Sequence, residues 1–294
     1  MSPPLTKTRQ GFTLVEMVVV IAVVGVIAAV VAVFLRGPVF GYIDTARRAE
    51  LTDAADTALR RIGRDLRLAL PNSVRVATDG TTTYLEFLLV RTGGRYRLES
   101  GSIANPCPGG LADDVLSFSS ADSCFKTIGN IPNLGQVTAN DFLVVFNLPT
   151  GTPNADAYQF VGTGGNKSQI TAPIPPDSFA GEDRITVASH AFTFESPGRR
   201  FFIVEGPVTY ACNPATGTLT RHAGYAIAAV QTAPPAPPPG GAGALLANRV
   251  TAPCTINYDT SAAQGAGLVT LRLTLSRDGE TVTLYHAVHI SNVP

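Results

Sequence analysis

From Phe12 to Leu35 the chain reads FTLVEMVVVIAVVGVIAAVVAVFL, twenty-four residues whose one ionisable side chain is Glu16. This run limits what the chain can fold into more than any other feature. As a helix rising ~1.5 Å per residue it reaches about 36 Å, enough for a ~30 Å hydrocarbon layer. Before it stands MSPPLTKTRQG, with Lys7 and Arg9 and no acid. The positive-inside rule then keeps residues 1–11 in the cytoplasm and sends the remainder across the membrane.

Three readings compete for the segment. It serves as a plain signal anchor, or as a secretory signal peptide cut near the small residues of Ile27–Ala32, or as a retained helix exposed by cleavage closer to the N-terminus. The run exceeds the 7–15 apolar residues of an ordinary signal peptide. Neither of the first two readings gives Glu16 a partner, and a carboxylate inside a bilayer costs roughly 2.5–3.5 kcal/mol on insertion scales. If the bond after Gly11 is cut, Phe12 presents a free α-amine that can pair with Glu16 of a neighbouring chain. Such a buried pair specifies axial stagger even where its net energy is small.

Gly11-Phe12-Thr13-Leu14-Val15-Glu16, behind a short basic leader and ahead of an unbroken apolar run, resembles the processing site of type IV prepilins and type II secretion pseudopilins. The resemblance implies that a prepilin peptidase cuts between Gly11 and Phe12 and methylates the new Phe12 amine. The helix then stays on the protein as filament core, and Glu16 sets subunit register. It further implies an α+β, type IV pilin-like fold, with a long N-terminal α-helix, membrane-spanning then amphipathic, packed on an antiparallel β-sheet head. The implied partners are the prepilin peptidase, other pilin subunits through the N-terminal helix, and an inner-membrane assembly platform. The implied location is the bacterial inner membrane, single pass with a periplasmic head, and then the pilus or cell surface.

Downstream of the run, Gly37-Pro38 is expected to bend the helix without ending it. Over Asp44 to Leu70, Leu51, Ala55, Leu59, Ile62, Leu66 and Leu70 recur every three or four residues and form one apolar stripe. Asp44 to Arg48 and Asp56 to Arg60 have the favourable i,i+4 order, and Pro71 with Asn72 stops the pattern. A stripe of this kind needs a sheet to cover it. Arg60, Arg61, Arg64 and Arg67 suit an anionic lipid or nucleic-acid surface in one reading. In the other, which is the one expected, they form a solvated face that meets the acidic flank of a neighbour. The organisation expected is therefore a cleaved leader 1–11, a membrane and assembly helix 12–36, its amphipathic continuation 37–71, and a head 72–294.

The head reads as strands. With 28 Gly and 22 Pro, the composition favours short strands and many turns over a bundle. Thr78-Asp79-Gly80-Thr81 signals a hairpin between residues 73–77 and 83–87, and Asp278-Gly279 another between the alternating runs that end at Leu275 and begin at Val282. Further strands are expected at 142–148, 157–161, 185–194, 201–205 and 208–211. Gly/Pro/Asn clusters at 105–110, 162–166 and 173–176 separate them. Residues 232–243, TAPPAPPPGGAG, form an extended Pro-rich insertion.

Twenty-two basic and 22 acidic residues leave no net charge, which argues against a nucleic-acid partner. Cys107, Cys124, Cys212 and Cys254 fall in an oxidising compartment if the head is translocated. Four cysteines allow three connectivities; Cys107 with Cys124 and Cys212 with Cys254 are the pairs expected. The first closes a loop containing Asp113, Asp114 and Asp122, and the second ties the two sides of the insertion. Zinc is the rival use of the cysteines, but C-x-x-C spacing is missing. The three aspartates form a candidate calcium loop without a recognisable ligand ladder. Residues 161–168 lack the glycines of a phosphate loop. His286 and His289 lie on opposite faces of a strand, His286 on its apolar face as a hydrogen-bonded core residue, while His190 and His222 are isolated. No catalytic motif appears, so neither an enzyme nor a cofactor nor a metal is expected.

Finally, Val204-Glu205-Gly206-Pro207-Val208-Thr209-Tyr210-Ala211-Cys212, Leu219-Thr220-Arg221 and the terminal Val288-His289-Ile290-Ser291-Asn292-Val293-Pro294 resemble the MshO type of MSHA pilus biogenesis protein. Together the resemblances imply a minor pilin that initiates type IV pilus assembly or mediates surface contact. The alternative in the same machinery is a pseudopilin of a type II secretion system. The alternative of another class is a membrane-anchored extracytoplasmic carbohydrate-binding or enzymatic head.

Overall fold

The computed structural model describes residues 11–100, 106–110, 114–159, 164–171, 181–231, 243–263 and 265–294. The chain divides into two units, Met1–Glu50 and Leu51–Pro294. One helix, α1 (Leu14–Leu66), is shared between them, and Pro38 lies inside it without ending it. Among the described residues thirteen strands follow: β1 (Arg75–Asp79), β2 (Thr82–Arg95), β3 (Asp122–Lys126), β4 (Phe142–Val145), β5 (Gly164–Gly165), β6 (Lys167–Gln169), β7 (Arg184–Phe192), β8 (Arg200–Asn213), β9 (Thr218–Ala223), β10 (Ala244–Asn248), β11 (Val250–Ala263), β12 (Ala266–Arg277) and β13 (Glu280–Ser291).

The helix stops four residues short of the expected Leu70, and the hydrogen bonds show why. Leu68 N–H and Ala69 N–H still donate to the carbonyls of Asp65 and Leu66, at 3.0 and 3.1 Å. Leu70 N–H instead reaches Leu88 O, and Val90 N–H reaches Leu68 O, both at 2.8 Å. The sheet has captured the backbone of the last turn. Leu70 remains buried, among Leu88, Val144, Tyr158 and Val204.

The strands form three sheets. The largest runs β1-β2-β8-β4-β6, with β9 paired to β8 and β10 to β9. The second is β11-β12-β13, and the third is β3-β7-β5, in which β5 lies parallel to β7. Both expected hairpins are present. Asp79 pairs with Thr82 around Gly80-Thr81, and Arg277 pairs with Glu280 around Asp278-Gly279. Asp278 and Gly279 have φ of 51° and 87°, the left-handed pair that a two-residue hairpin loop requires.

Several expected strand limits are corrected. Residues 201–205 and 208–211 belong to one strand, β8, which passes Gly206 at φ 140° opposite a register shift in β2 near Leu89–Thr92. β4 ends at Val145 because Phe146 takes φ 51°. Residues 157–159 form a turn, and 160–161 lie outside the described residues. So do 173–176, 232–242 and Asp113.

Within residues 51–294, Leu51, Ala55, Leu59, Ile62 and Leu66 are buried. They share a core with Leu85, Phe87, Val208 and Tyr210 of the large sheet and Val269, Leu271, Leu273 and Val288 of the second. Each buried Leu or Ile contributes roughly 1.5–3 kcal/mol relative to exposure. A second core gathers Phe125, Leu143, Val145, Ile185, Phe192, Phe201 and Ile203. The long strand β8 serves both, with Val208 and Tyr210 in the first and Phe201 and Ile203 in the second. Of the three connectivities, the structure has Cys107–Cys124 and Cys212–Cys254, with Cα–Cα distances of 5.8 and 6.5 Å.

Candidate functional site

The N-terminal part of α1 carries the features that call for a partner. Thr13 is its cap: the hydroxyl oxygen accepts from Glu16 N–H at 3.3 Å, and the Thr13 carbonyl accepts from Met17 N–H at 3.2 Å. Thr13-x-x-Glu16 has the spacing of a capping box, a signal legible in the sequence and missed there. Glu16 therefore lies in the first turn, where the helix dipole favours a carboxylate. Its side chain is exposed, and its carboxylate has no hydrogen-bond partner among the described residues.

Behind it, Leu14, Val15, Met17, Val18, Val19, Val20, Ile21 and the large apolar residues onward to Phe40 are all exposed. The helix is long and apolar enough to cross a membrane, and none of its most apolar window is buried within the chain. An apolar surface of this extent requires lipid or other helices to cover it. Gly11 and Phe12 precede the helix and are exposed, Phe12 at 80%.

The head places its polar groups in structural networks. Asp65, an acid on the apolar stripe of α1, accepts through Oδ2 from the Tyr210 hydroxyl at 2.8 Å and from Arg221 Nε at 2.9 Å, while Arg61 approaches Oδ1 at 3.4 Å. Burial, then the Asp65 carboxylate, pushes the Tyr210 phenol well up. A charged residue inside an apolar stripe was the signal for this clamp. Glu86 is likewise buried, and accepts from Arg75 and from the Thr209 hydroxyl.

Of the three aspartates of the candidate calcium loop, Asp114 and Asp122 are among the described residues, and both accept from backbone N–H groups. Asp114 accepts from Cys107 N–H at 3.0 Å, and Asp122 accepts from Ser117 N–H and Cys124 N–H. Lys126, buried, lies 4.0 Å from Asp114 Oδ2 and 3.7 Å from Glu182 Oε2. Its ammonium stands beside those carboxylates. Among the described residues no cluster of His, Cys, Asp and Glu could hold a metal.

The histidines are dispersed. His190 is buried, with Nε2 3.3 Å from Gly165 O, and burial lowers its pKa. His222 Nε2 lies 3.0 Å from the Thr220 hydroxyl. His286 is half-buried, not the hydrogen-bonded core residue expected. It faces α1 at Gly63, where an added Cβ would come 2.8 Å from Nε2. His289 is exposed on the opposite face. The structure thus brings Gly11, Phe12, Thr13 and Glu16 together at one helix end and leaves the four histidines apart.

Residues 6–32 match the family model described as the prokaryotic N-terminal methylation motif. The match covers the part of the leader with Lys7 and Arg9, Gly11-Phe12 and most of the apolar run, and it supports a type IV pilin-like assignment. No curated protein and no solved structure matches the chain.

Proposed function

We propose that the chain is a minor pilin, cut after Gly11 by a prepilin peptidase, methylated on Phe12, and built into a type IV filament through α1. Its head initiates assembly or makes surface contact. The observation that carries this reading is the methylation motif seated on a helix whose apolar surface is uncovered and whose one acid, Glu16, has no partner for its carboxylate among the described residues. Removing the leader creates the cation that Glu16 lacks. An ammonium on Phe12 of one subunit against Glu16 of the next fixes the stagger of the packed helices.

The MshO-like segments support the minor-pilin form of this reading. Two of them lie on adjacent strands, β8 and β9, and the third closes the chain at β13. Secretion pseudopilins share the N-terminal logic, and the presence or absence of a surface fibre carrying the chain separates the two. The described residues of the head gather no catalytic groups in one place, which suits a structural subunit in which α1 does the assembly work.

Glu16→Ala tests the mechanism. The variant is expected to be cleaved at close to the normal rate and to reach the membrane, yet to enter filaments at a small fraction of the wild-type level. Normal incorporation of cleaved Glu16→Ala would remove the basis for the pairing.

A further inference from the structure

Strand β13 is an unguarded edge. Its twelve residues pair with β12 in unbroken register from Arg277↔Glu280 to Ala266↔Ser291, and it has no second neighbour among the described residues. Alternate residues of such a strand aim their N–H and C=O groups outward, a template for another strand. Soluble proteins blunt long edges with charge, proline, bulges or shortness. From Thr281 to Ser291, β13 has none of these.

The other edges are blunted. β1 is five residues long and ends in Asp79, β6 is three residues with Lys167, and β10 carries a register shift between Leu245 and Ala247. On the far side of its own sheet, β11 contains Pro253 and two shifts. Only β13 among these combines length with regular register.

Beside that edge lies a basic cleft of about 580 Å³ lined by Asp56, Arg60, Gly63, Arg64, Arg67 and His286. Asp56 holds Arg60 at 2.7 Å. Arg64 and Arg67 are exposed and have no acidic partner among the described residues. Two independent features therefore meet in one place: main-chain groups open to pairing with a strand and guanidinium groups open to pairing with carboxylates.

We infer that the β13 edge and the Arg64–Arg67 face together receive an extended acidic segment of a neighbouring filament subunit, added as a fourth strand of the β11-β12-β13 sheet. On the incoming strand, acids at positions i and i+2 stand ~7 Å apart on one face. Arg64 and Arg67, three apart on a helix, have Cβ atoms about 5–6 Å apart. The site therefore selects Asp/Glu-x-Asp/Glu within a strand, with the main chain supplying affinity and the arginines supplying register.

This inference rests on the filament-subunit reading, so its test carries two reporters. A photoreactive benzoyl-phenylalanine replaces either Tyr285, exposed on β13, or Val23, exposed on α1, in the full chain in cells that assemble it. Cross-linked partners are identified by peptide mass spectrometry. The expected result is a cross-link from Tyr285 to an Asp/Glu-x-Asp/Glu segment of another subunit. Its yield should fall at least about tenfold with Arg64→Glu plus Arg67→Glu and survive Arg64→Lys plus Arg67→Lys. If Val23 cross-links to other subunits and Tyr285 does not, or if the Tyr285 cross-link ignores charge reversal, the strand-addition site is overturned while the filament reading stands. If neither position cross-links to another subunit, the filament reading falls and takes this inference with it.

Discussion

Helix α1 is one element with two kinds of surface. Over its first turns, from Leu14 to Phe40, every large apolar side chain is exposed. From Leu51 to Leu66 the apolar residues keep to one stripe, and that stripe is buried within residues 51–294. The hydrogen-bonded backbone is the same, so the difference lies in what each surface needs. The second half is satisfied by the chain's own sheets and belongs to the stability of the head. The first half has no cover among the described residues, and under the proposed function it belongs to assembly.

The comparison can be broken most sharply by placing one charge in each half. Leu59→Asp puts an unpaired carboxylate in the buried stripe and should unfold the head, a loss of at least about 4 kcal/mol by denaturant melting in detergent. Val23→Asp should leave the same melt unchanged and impair membrane insertion, at about 2.5–3.5 kcal/mol on insertion scales. A head that melts equally in both variants would erase the distinction.

A smaller loss is expected from Asp65→Ala, about 3 kcal/mol, because it strands the Tyr210 hydroxyl and the Arg221 guanidinium beside the second half of the helix. Replacing Cys212 and Cys254 together by Ala should cost about 2–4 kcal/mol, chiefly by freeing the 42-residue separation in the unfolded chain. Both effects should appear in the head's melt and neither in membrane association.

The smallest effect is a pH dependence confined to the head. Burial lowers the Lys167 ammonium to about 8 from 10.5, with Asp156 opposing. The folded state then holds fewer protons than the unfolded chain between those values, and stability rises with pH across that window. A gain of about 1–2 kcal/mol is expected from pH 8 to 10, and Lys167→Met should abolish it. Above pH 10 the sign reverses. Burial raises the phenols of Tyr158, Tyr210 and Tyr225, so unfolded tyrosines ionise first and stability falls.

Local pattern made much of this legible. The apolar run, the stripe from Leu51 to Leu66 and the hairpins at Gly80 and Asp278-Gly279 depend on neighbours a few residues away, and each is where the periodicity places it. What escaped depends on distant contacts. The end of α1 at Leu66 is set by β2, through Leu88 and Leu89. β11 was invisible because Pro253 interrupts its pattern, yet its pairing with β12 tolerates the proline at a register shift. Gly206-Pro207 looked like a break between two strands, and β8 runs through it.

The N-terminal motif matched by the family model was legible for the opposite reason. Gly11, Phe12 and Glu16 lie within six residues, so no tertiary fold is needed to bring them together. Thr13 was overlooked because its role, capping the helix through Glu16 N–H, is a backbone property. Asp65 and the Lys126 network required positions more than a hundred and more than fifty residues apart, Asp65 with Arg221 and Lys126 with Glu182, to be seen in contact.

The account stands on the fate of the first eleven residues. Intact and N-terminal peptide mass spectrometry of the protein extracted from native membranes reads it directly. The predicted result is a mature chain that begins at Phe12 with one methyl group on its amine and retains the whole apolar helix. A chain that still carries Met1, or one that starts beyond Ala32, would contradict it.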